Sequence, residues 1–525
     1  MRVLLVEPEY RRNPRSTRFQ VVTGAASTPK KKDDESLWYP PLGLMKLATF
    51  HRNRNDEVKF VPGCDESLLK DKGSFYTSSW DRVYISTLFT FNWKKTIETI
   101  EFYKKLVDGN TDKIFIGGIM ASLMPNEIYK ETRICPIEGV INSPTQIGLD
   151  GNEKIDLLPP DYTILDNRYA LNDTYYAYTT RGCINECEWC GVPILEPNYV
   201  PYIDIKEMIT ELREKYGDKS KLKLMDNNVL ASAYLDTIVN DLLELGYGRN
   251  DFTQTKPPRK RVIDFNQGLD ATFIDEDTTK LLAKLNIKPM RIALDRIQEK
   301  EDYVSALRLT KKHGARVFSN YMLYNCKDTP RDLYDRLLVN IKLGKKWRDR
   351  KGKPTATIYS YPMRYAPIKS EGSLSESKQR DYNIPVPHVT GDFLANAAWT
   401  RRFTRNIEVM KGAAHGAISA TPSLAKRTIG KTYKEFIANL YMPEELLRHR
   451  NKYERRVYDS EPERKPGTGE IEAFRSFILG LLKAQDERFL AFHNVVSQNR
   501  KGAIRDYLDK CKDEELKKWL EFYLM

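Results

Sequence analysis

Three cysteines, Cys183, Cys187 and Cys190, stand at C-x-x-x-C-x-x-C spacing in the stretch Tyr-Thr-Thr-Arg-Gly-Cys-Ile-Asn-Glu-Cys-Glu-Trp-Cys-Gly-Val-Pro. Three thiolates can hold three corners of a cubane iron–sulfur cluster and leave its fourth iron open to another ligand. An open position marks a catalytic metal centre, because structural sites are normally closed. A zinc knuckle is the competing reading, and it needs a fourth Cys or His. The six histidines are His51, His313, His388, His415, His449 and His493, all more than a hundred residues from the loop. Seven cysteines in 525 residues are sparse and odd in number, which suits a reducing cytoplasm better than a disulfide framework.

The elements that position this loop are strands alternating with helical stretches. A β-rich run at 175–180 feeds straight into it, and further strands are expected at 221–225, 261–265, 291–294, 317–323 and 356–361. Asp204 is placed to cap the next helix, with Glu207 as its capping-box partner. Six β/α units of this length predict a partial TIM-type barrel, whose chemistry gathers at the C-terminal ends of the strands. Those ends carry Asp226, Asn227 and Asn228, then Gln267 and Asp270, then Arg291 and Asp295. The fifth and sixth add Asn320, Tyr321 and Tyr324, and Arg364 and Tyr365. Turns and helix caps account for any one of these. Clustering over five consecutive strand ends is what points to a site. Arg291 and Arg364 are also suited to a carboxylate or phosphate through bidentate hydrogen bonds.

The cysteine loop, with Trp189 before its last Cys, resembles that of the radical S-adenosylmethionine (SAM) enzymes. The segment Gln267-Gly268-Leu269-Asp270 is similar to that family's Gln-Gly-Leu-Asp. The resemblance implies a 4Fe-4S cluster on Cys183, Cys187 and Cys190, with SAM chelated at the open iron. It implies SAM contacts from Trp189, beside the adenine, and from Asp226, Asn227 and Asn228 near the amino group. Gln267, Asp270, Arg291, Asp295 and Tyr321 complete the implied cofactor-binding set. Arg364, Tyr365 and Tyr324 are the implied catalytic set. The implied reaction is reductive cleavage of SAM to a 5′-deoxyadenosyl radical, fed by a reductant such as flavodoxin or ferredoxin.

The whole chain is expected to be α/β: a doubly wound Rossmann-like domain (1–165), the partial barrel (166–375) and a mainly helical domain (376–525). Strands at 3–6, 81–87 and 113–116, with a helix at 93–106, support the first. Its Pro40-Pro41-Leu42-Gly43-Leu44 and Ile116-Gly117-Gly118 segments resemble the cobalamin-binding-type domain of one radical SAM subgroup. No Asp-x-His occurs, so histidine-ligated cobalamin is excluded and cobalamin is allowed but not favoured. Methylthiotransferases are disfavoured, since this region offers only Cys64 and Cys135. Polar stretches at 25–36 and 366–390 are expected to be loops, the second a mobile loop or lid.

The net charge of +13 permits an anionic partner without demanding one. Residues 401–456 hold thirteen Lys/Arg against five Glu and no Asp, and basic loops lie at 256–261 and 345–353. These tilt the expected substrate toward a nucleotide or nucleic acid, with a small anionic metabolite as the other choice. No run of eighteen apolar residues occurs, so no membrane span is expected. Two alternatives remain: a cobalamin-dependent radical SAM methyltransferase, and a nucleic-acid-binding protein with a structural or sensing cluster.

Overall fold

Four short apolar runs make the first sheet. They are β1 (Arg2–Glu7), β2 (Glu57–Pro62), β3 (Arg82–Thr87) and β4 (Ile114–Gly118), all parallel, in the order β2-β1-β3-β4. The computed structural model describes residues 1–9, 39–70, 80–165, 173–365, 393–412, 414, 416–458 and 468–525. The loops expected at 25–36 and 366–390 lie outside them. Strand alternation sends Leu4, Val6, Val83 and Ile85 to one face and Val3, Leu5 and Tyr84 to the other, and each face has its own apolar core. Helix Trp93–Leu106 covers one face through Trp93, Thr96, Ile100 and Tyr103. Helix Leu42–Asn53 covers the other through Leu44, Leu47 and Ala48. The edge strand β2 went unread in the sequence, because Glu57 and Lys59 interrupt its apolar pattern.

Six further parallel strands follow at the expected places: β5 (Thr174–Ala177), β6 (Lys221–Leu224), β7 (Val262–Phe265), β8 (Met290–Arg291), β9 (Val317–Tyr324) and β10 (Thr357–Arg364). They form two three-stranded sheets, β5-β6-β7 and β8-β9-β10, joined by the parallel bridges Ile263–Ile287 and Leu269–Ile292. One face of this arc, with Leu222, Leu224, Ile263, Phe265, Phe318 and Ile358, packs on the helices. Its apolar cluster continues without a break into the C-terminal helices, as far as Tyr523. The helix expected after Asp204 begins at Lys206. Asp204 accepts the Lys206 N–H at 2.9 Å and no capping box with Glu207 forms.

No helix among the described residues is long and apolar enough to cross a membrane.

Candidate active site

Because all six strands run the same way, their C-terminal ends open on one side, and the cysteine loop leaves β5 there. Thr179 and Thr180 drop out of the β5 ladder because Asp226, at the β6 exit, accepts from both. Its Oδ1 takes the Thr179 N–H at 2.8 Å and the two threonine hydroxyls at 2.7 and 2.8 Å. The next turn requires glycine. Gly182 has φ +72, and a Cβ there would lie 2.6 Å from the Asn198 carbonyl oxygen. The loop then crosses the strand exits. Asn185 donates to Asp270 after β7 at 3.0 Å, the Arg296 guanidinium after β8 lies 4.6 Å over the Trp189 ring, and Lys327 after β9 pairs with Glu188 at 2.5 Å.

Backbone N–H groups of Asn185 and Val192 point at the Cys183 and Cys190 sulfurs, at 3.4 and 3.5 Å. Burial, then the neighbouring Cys190 and Cys183, push the Cys187 thiol up to about 11. Cys187 thus lies within electrostatic reach of the other two sulfurs. Among the described residues no three or more His, Cys, Asp or Glu side chains converge as a single metal ion requires. A cubane spreads its irons, so its ligands need not meet at a point. The donor set fits such a cluster.

The other expected residues divide. Asn227 and Gln267 line the large cavity described below. Asp226 is buried, and among the described residues its second oxygen, Oδ2, has no hydrogen-bond partner, nor has the buried Oδ1 of Asn228. Both are sealed acceptors beside the cysteine loop. Asp270 caps the following turn through Thr272 and braces Asn185, so its contacts are structural. Asp295 is half-buried and accepts the Leu323 N–H at 2.7 Å. Tyr365 stands half-buried at the β10 exit, where Cys326 and Glu188 act on its hydroxyl.

Strand period turns two of the expected residues, Tyr324 and Arg364, to the helix-packed side, and an ion pair occupies a third, Arg291. Tyr324 shares the helix-facing side of β9 with Phe318 and Met322. It is fully buried, packs on Trp399 and hydrogen-bonds Glu408 at 3.0 Å, so it does not reach the site. Arg364 pairs in register with Tyr324 and lies on that same side. Arg291 faces the other side, but Asp264 already holds it by two hydrogen bonds of 2.6 and 2.9 Å. It cannot clamp a ligand's carboxylate in the way the sequence suggested.

A cavity of about 1590 Å³ lies between the C-terminal edge of the first sheet and the cysteine-bearing strand ends. The first sheet contributes Thr87, Gly117 and Gly118, with Phe89 and Phe91 stacked at 4.9 Å between ring centres. Gly118 has φ +104, and a Cβ there would lie 2.3 Å from the Thr87 carbonyl oxygen, so only glycine lets these strand ends meet. Buried charges line the opposite wall. Asp156 joins Lys46, at 2.8 Å, to Arg181, whose Nε lies at 2.9 Å. Arg181 also stacks on Tyr178 at 3.4 Å and pairs with Glu196 at 2.7 Å, while Glu196 accepts the Gly182 N–H and the Asn227 amide. Lys46 lies on the first sheet's helix and Arg181 two residues before Cys183, so this network ties one to the other. Sequence reasoning missed Lys46, Asp156 and Glu196, which carry no motif.

It also missed Arg336, fully buried, which donates to the Leu294, Asp295 and Leu323 carbonyls and pairs with Asp328 at 2.6 Å. Arg336 thereby fixes the exits of β8 and β9. Four cations of the basic 401–456 segment are engaged within the fold. Arg402 and Arg450 are buried, Arg450 donating to the Thr428 and Arg427 carbonyls, and Arg405 and Arg448 share Glu444.

No family model and no curated protein matches the chain. Among solved structures it is similar to the radical S-adenosylmethionine methyltransferase TsrM from Kitasatospora setae, solved with tryptophan substrate and a SAM analogue. The identity there is 14% over 69% of this chain and 72% of that one, with a TM-score of 0.48. It is also similar to SuiB from Streptococcus suis. Bound to its precursor peptide SuiA, SuiB gives 14% identity over 55% of this chain and 62% of that one, with a TM-score of 0.26. Bound to S-adenosylmethionine, it gives 16% identity, 55% and 61% coverage and a TM-score of 0.25.

Proposed function

We propose that this protein is a radical SAM enzyme, in which Cys183, Cys187 and Cys190 hold a 4Fe-4S cluster over the mouth of a partial barrel. The observation that carries the reading is the loop itself. Its three thiols, two of them receiving backbone N–H groups, are strapped across the exits of parallel strands beside the sealed acceptors Asp226 Oδ2 and Asn228 Oδ1. When bound, cluster and SAM supply the radical chemistry. The chain binds, orients and shields. Asp226 fixes the loop's entry, Asp226 and Asn228 accept the SAM ammonium group, and Trp189, held by Arg296, offers a ring surface for the adenine. The domain expectations belong to the same proposal: a Rossmann-like N-terminal unit, a barrel, and helices that extend the barrel's core.

The test is anaerobic reconstitution with iron, sulfide and cobalamin, removal of unbound material, and metal analysis per chain. About four irons, lost when any one of the three cysteines becomes Ala, is the expected result. Zinc with little iron, after reconstitution as well as before, overturns it.

One observation favours a second reading, a cobalamin-dependent radical SAM methyltransferase. The 1590 Å³ cavity is at the upper end of, or beyond, what one small ligand requires, and it sits on the C-terminal edge of a doubly wound sheet, where large cofactors bind. Among the described residues no histidine lines it, so none of them offers cobalt an imidazole ligand there. One cobalt per chain beside four irons selects this reading, and its absence selects direct hydrogen abstraction from substrate.

A further inference from the structure

All six strands of the central arc are parallel, so the segments that enter them meet at one end, opposite the cysteine loop. Hydrogen bonds and an ion pair join those segments into one surface. The Arg249 N–H, ahead of β7, donates to the Lys284 carbonyl ahead of β8 at 3.0 Å. The Arg249 guanidinium donates to the His313 carbonyl ahead of β9 at 2.7 Å. Arg259 pairs with Asp173, ahead of β5, at 2.6 Å, and the Gln254 N–H donates to Asp218, ahead of β6, at 2.7 Å. At the start of β10, the Thr357 N–H donates to the Arg316 carbonyl at 2.9 Å. With neighbouring strands about 4.8 Å apart, six strands make a face about 24 Å across. We infer that this face is a docking surface for single-stranded nucleic acid. The inference does not rest on the radical SAM reading.

Charge is the first observation that carries it. Residues 173, 217–220, 245–261, 283–289, 313–316 and 347–356 make up the face. They hold thirteen Lys/Arg against four Asp, 13 − 4 = +9. Ten of these cations are exposed, and Asp349 is the one exposed carboxylate among these residues. The segments outside the described residues hold fourteen Lys/Arg against twelve Asp/Glu, so they carry no net negative charge to set against it. Helix dipoles account for only part of the surplus. Five helices precede β6 to β10 and end at this face, and each C-terminal end is equivalent to about −0.5 charge, about −2.5 in all. Arg249, Arg316 and Arg348 donate to backbone carbonyls, which orients their guanidinium groups and leaves their charge in place.

The second observation is what accompanies the charge. A protein partner calls for an apolar, aromatic patch from which charges are depleted, whereas nucleic-acid interfaces are polar and strongly positive. Phe252, 52% exposed, is the one large apolar side chain exposed on this face. It is bridged to Lys260 across the loop ahead of β7, with Lys256 and Arg259 exposed in the same loop. An exposed ring set among cations suits an unpaired base stacked on it while the phosphates on either side meet Lys and Arg. A duplex, with its bases already stacked, gains nothing from Phe252.

The experiment is fluorescence anisotropy of the full chain with a fluorescein-labelled 20-nucleotide oligouridylate, at salt concentrations from 50 to 300 mM. The expected result is saturable binding whose log K falls with log[salt] at a slope of about −3 or steeper, as four or more phosphate contacts require. Arg350→Gln with Lys351→Gln, both exposed in the turn ahead of β10, should make the slope shallower by about 1.4. The same loss of two exposed cations from the first sheet's domain, Lys130→Gln with Arg133→Gln, should leave it unchanged. Phe252→Ala should weaken binding about fivefold or more without altering the slope. No saturable binding at 50 mM salt, a slope shallower than −1, or equal effects of the two double variants overturns the assignment. So does a duplex bound more tightly than the single strand, or polyglutamate of equal charge competing as well as unlabelled oligouridylate. Oligouridylate binding by a chain that takes up no iron would leave this surface standing while the radical reading fell.

Discussion

Asp156→Asn tests whether buried charge fastens the cysteine loop to the N-terminal sheet. Asp156 touches Lys46 at 2.8 Å, and the two side chains are only 12% and 10% exposed. Coulomb attraction at that distance, with an effective dielectric constant of about 20, is about 6 kcal/mol. Desolvation of both ions offsets much of it, and removing one partner of a buried pair costs about 3–5 kcal/mol. Arg181 keeps Glu196 at 2.7 Å, so the orphaned group is Lys46. Burial already lowers the Lys46 pKa, Asp156 opposes that and Arg181 adds to it. Without Asp156 the ammonium is pushed further toward its neutral form. A base whose folded pKa lies below its unfolded value binds fewer protons when native, so stability rises with pH. The variant's deficit should therefore be about 3–5 kcal/mol at pH 7 and shrink toward pH 10. Urea unfolding at both pH values measures it, and iron per chain after reconstitution reports the loop. The double variant Lys46→Met, Asp156→Asn removes the orphaned cation and should recover most of the loss. A single-variant loss under about 1 kcal/mol, or a double variant no more stable than the single, refutes the reasoning.

Two further outcomes follow from the geometry. Gly118→Ala should cost about 2–4 kcal/mol, because φ +104 disfavours a side chain and the new Cβ meets the Thr87 carbonyl at 2.3 Å. Gly43→Ala, with no atom within 4 Å of its added Cβ, is the control in the same thermal melts. His493 is fully buried among Phe393, Tyr441 and Phe489, and burial lowers its pKa from 6.5 to about 4. The unfolded chain then binds the extra proton between those values, so up to about 3 kcal/mol of stability present above pH 6.5 is lost on acidification toward pH 4. Comparing the pH dependence of unfolding with that of His493→Asn isolates the effect, and identical slopes would contradict it.

All six strands of the central arc and the cysteine loop were legible because their signals are local. Short β-rich runs between helical stretches set the strands, and three thiols at close spacing set the loop. The boundaries moved where tertiary contacts intervened. Thr179 and Thr180 look like strand but leave the ladder to bind Asp226, a residue 47 and 46 positions away in the chain. The edge strand β2, half-solvated and charged on its outer side, lacks the apolar run that betrayed its neighbours. The basic 401–456 segment is hard to read for another reason. A sequence shows how many cations a segment carries but not which of them end on backbone carbonyls, as Arg450 does.

The strand-end residues show why a site is harder to read than a fold. Strand exits carry polar residues on both faces, and a one-residue step reverses the face. Tyr321 and Tyr324 are three apart on one strand, and that odd spacing sends Tyr321 toward Arg291 and Tyr324 into the helix-packed core. The same parity assigns Lys223 and Asp264 to the polar side while Leu222, Leu224, Ile263 and Phe265 go to the apolar one. In the sequence, Lys223 and Asp264 are isolated charges within four-residue strands, and nothing local says that they face one another or that Arg291 completes the set. Once register is known, the alternation Leu-Lys-Leu and Ile-Asp-Phe becomes informative. A strand buried on both sides ordinarily runs apolar throughout. A charge kept inside one calls for partners, and Lys223 has Asp264 at 3.4 Å across the arc and the Tyr39 hydroxyl at 3.1 Å.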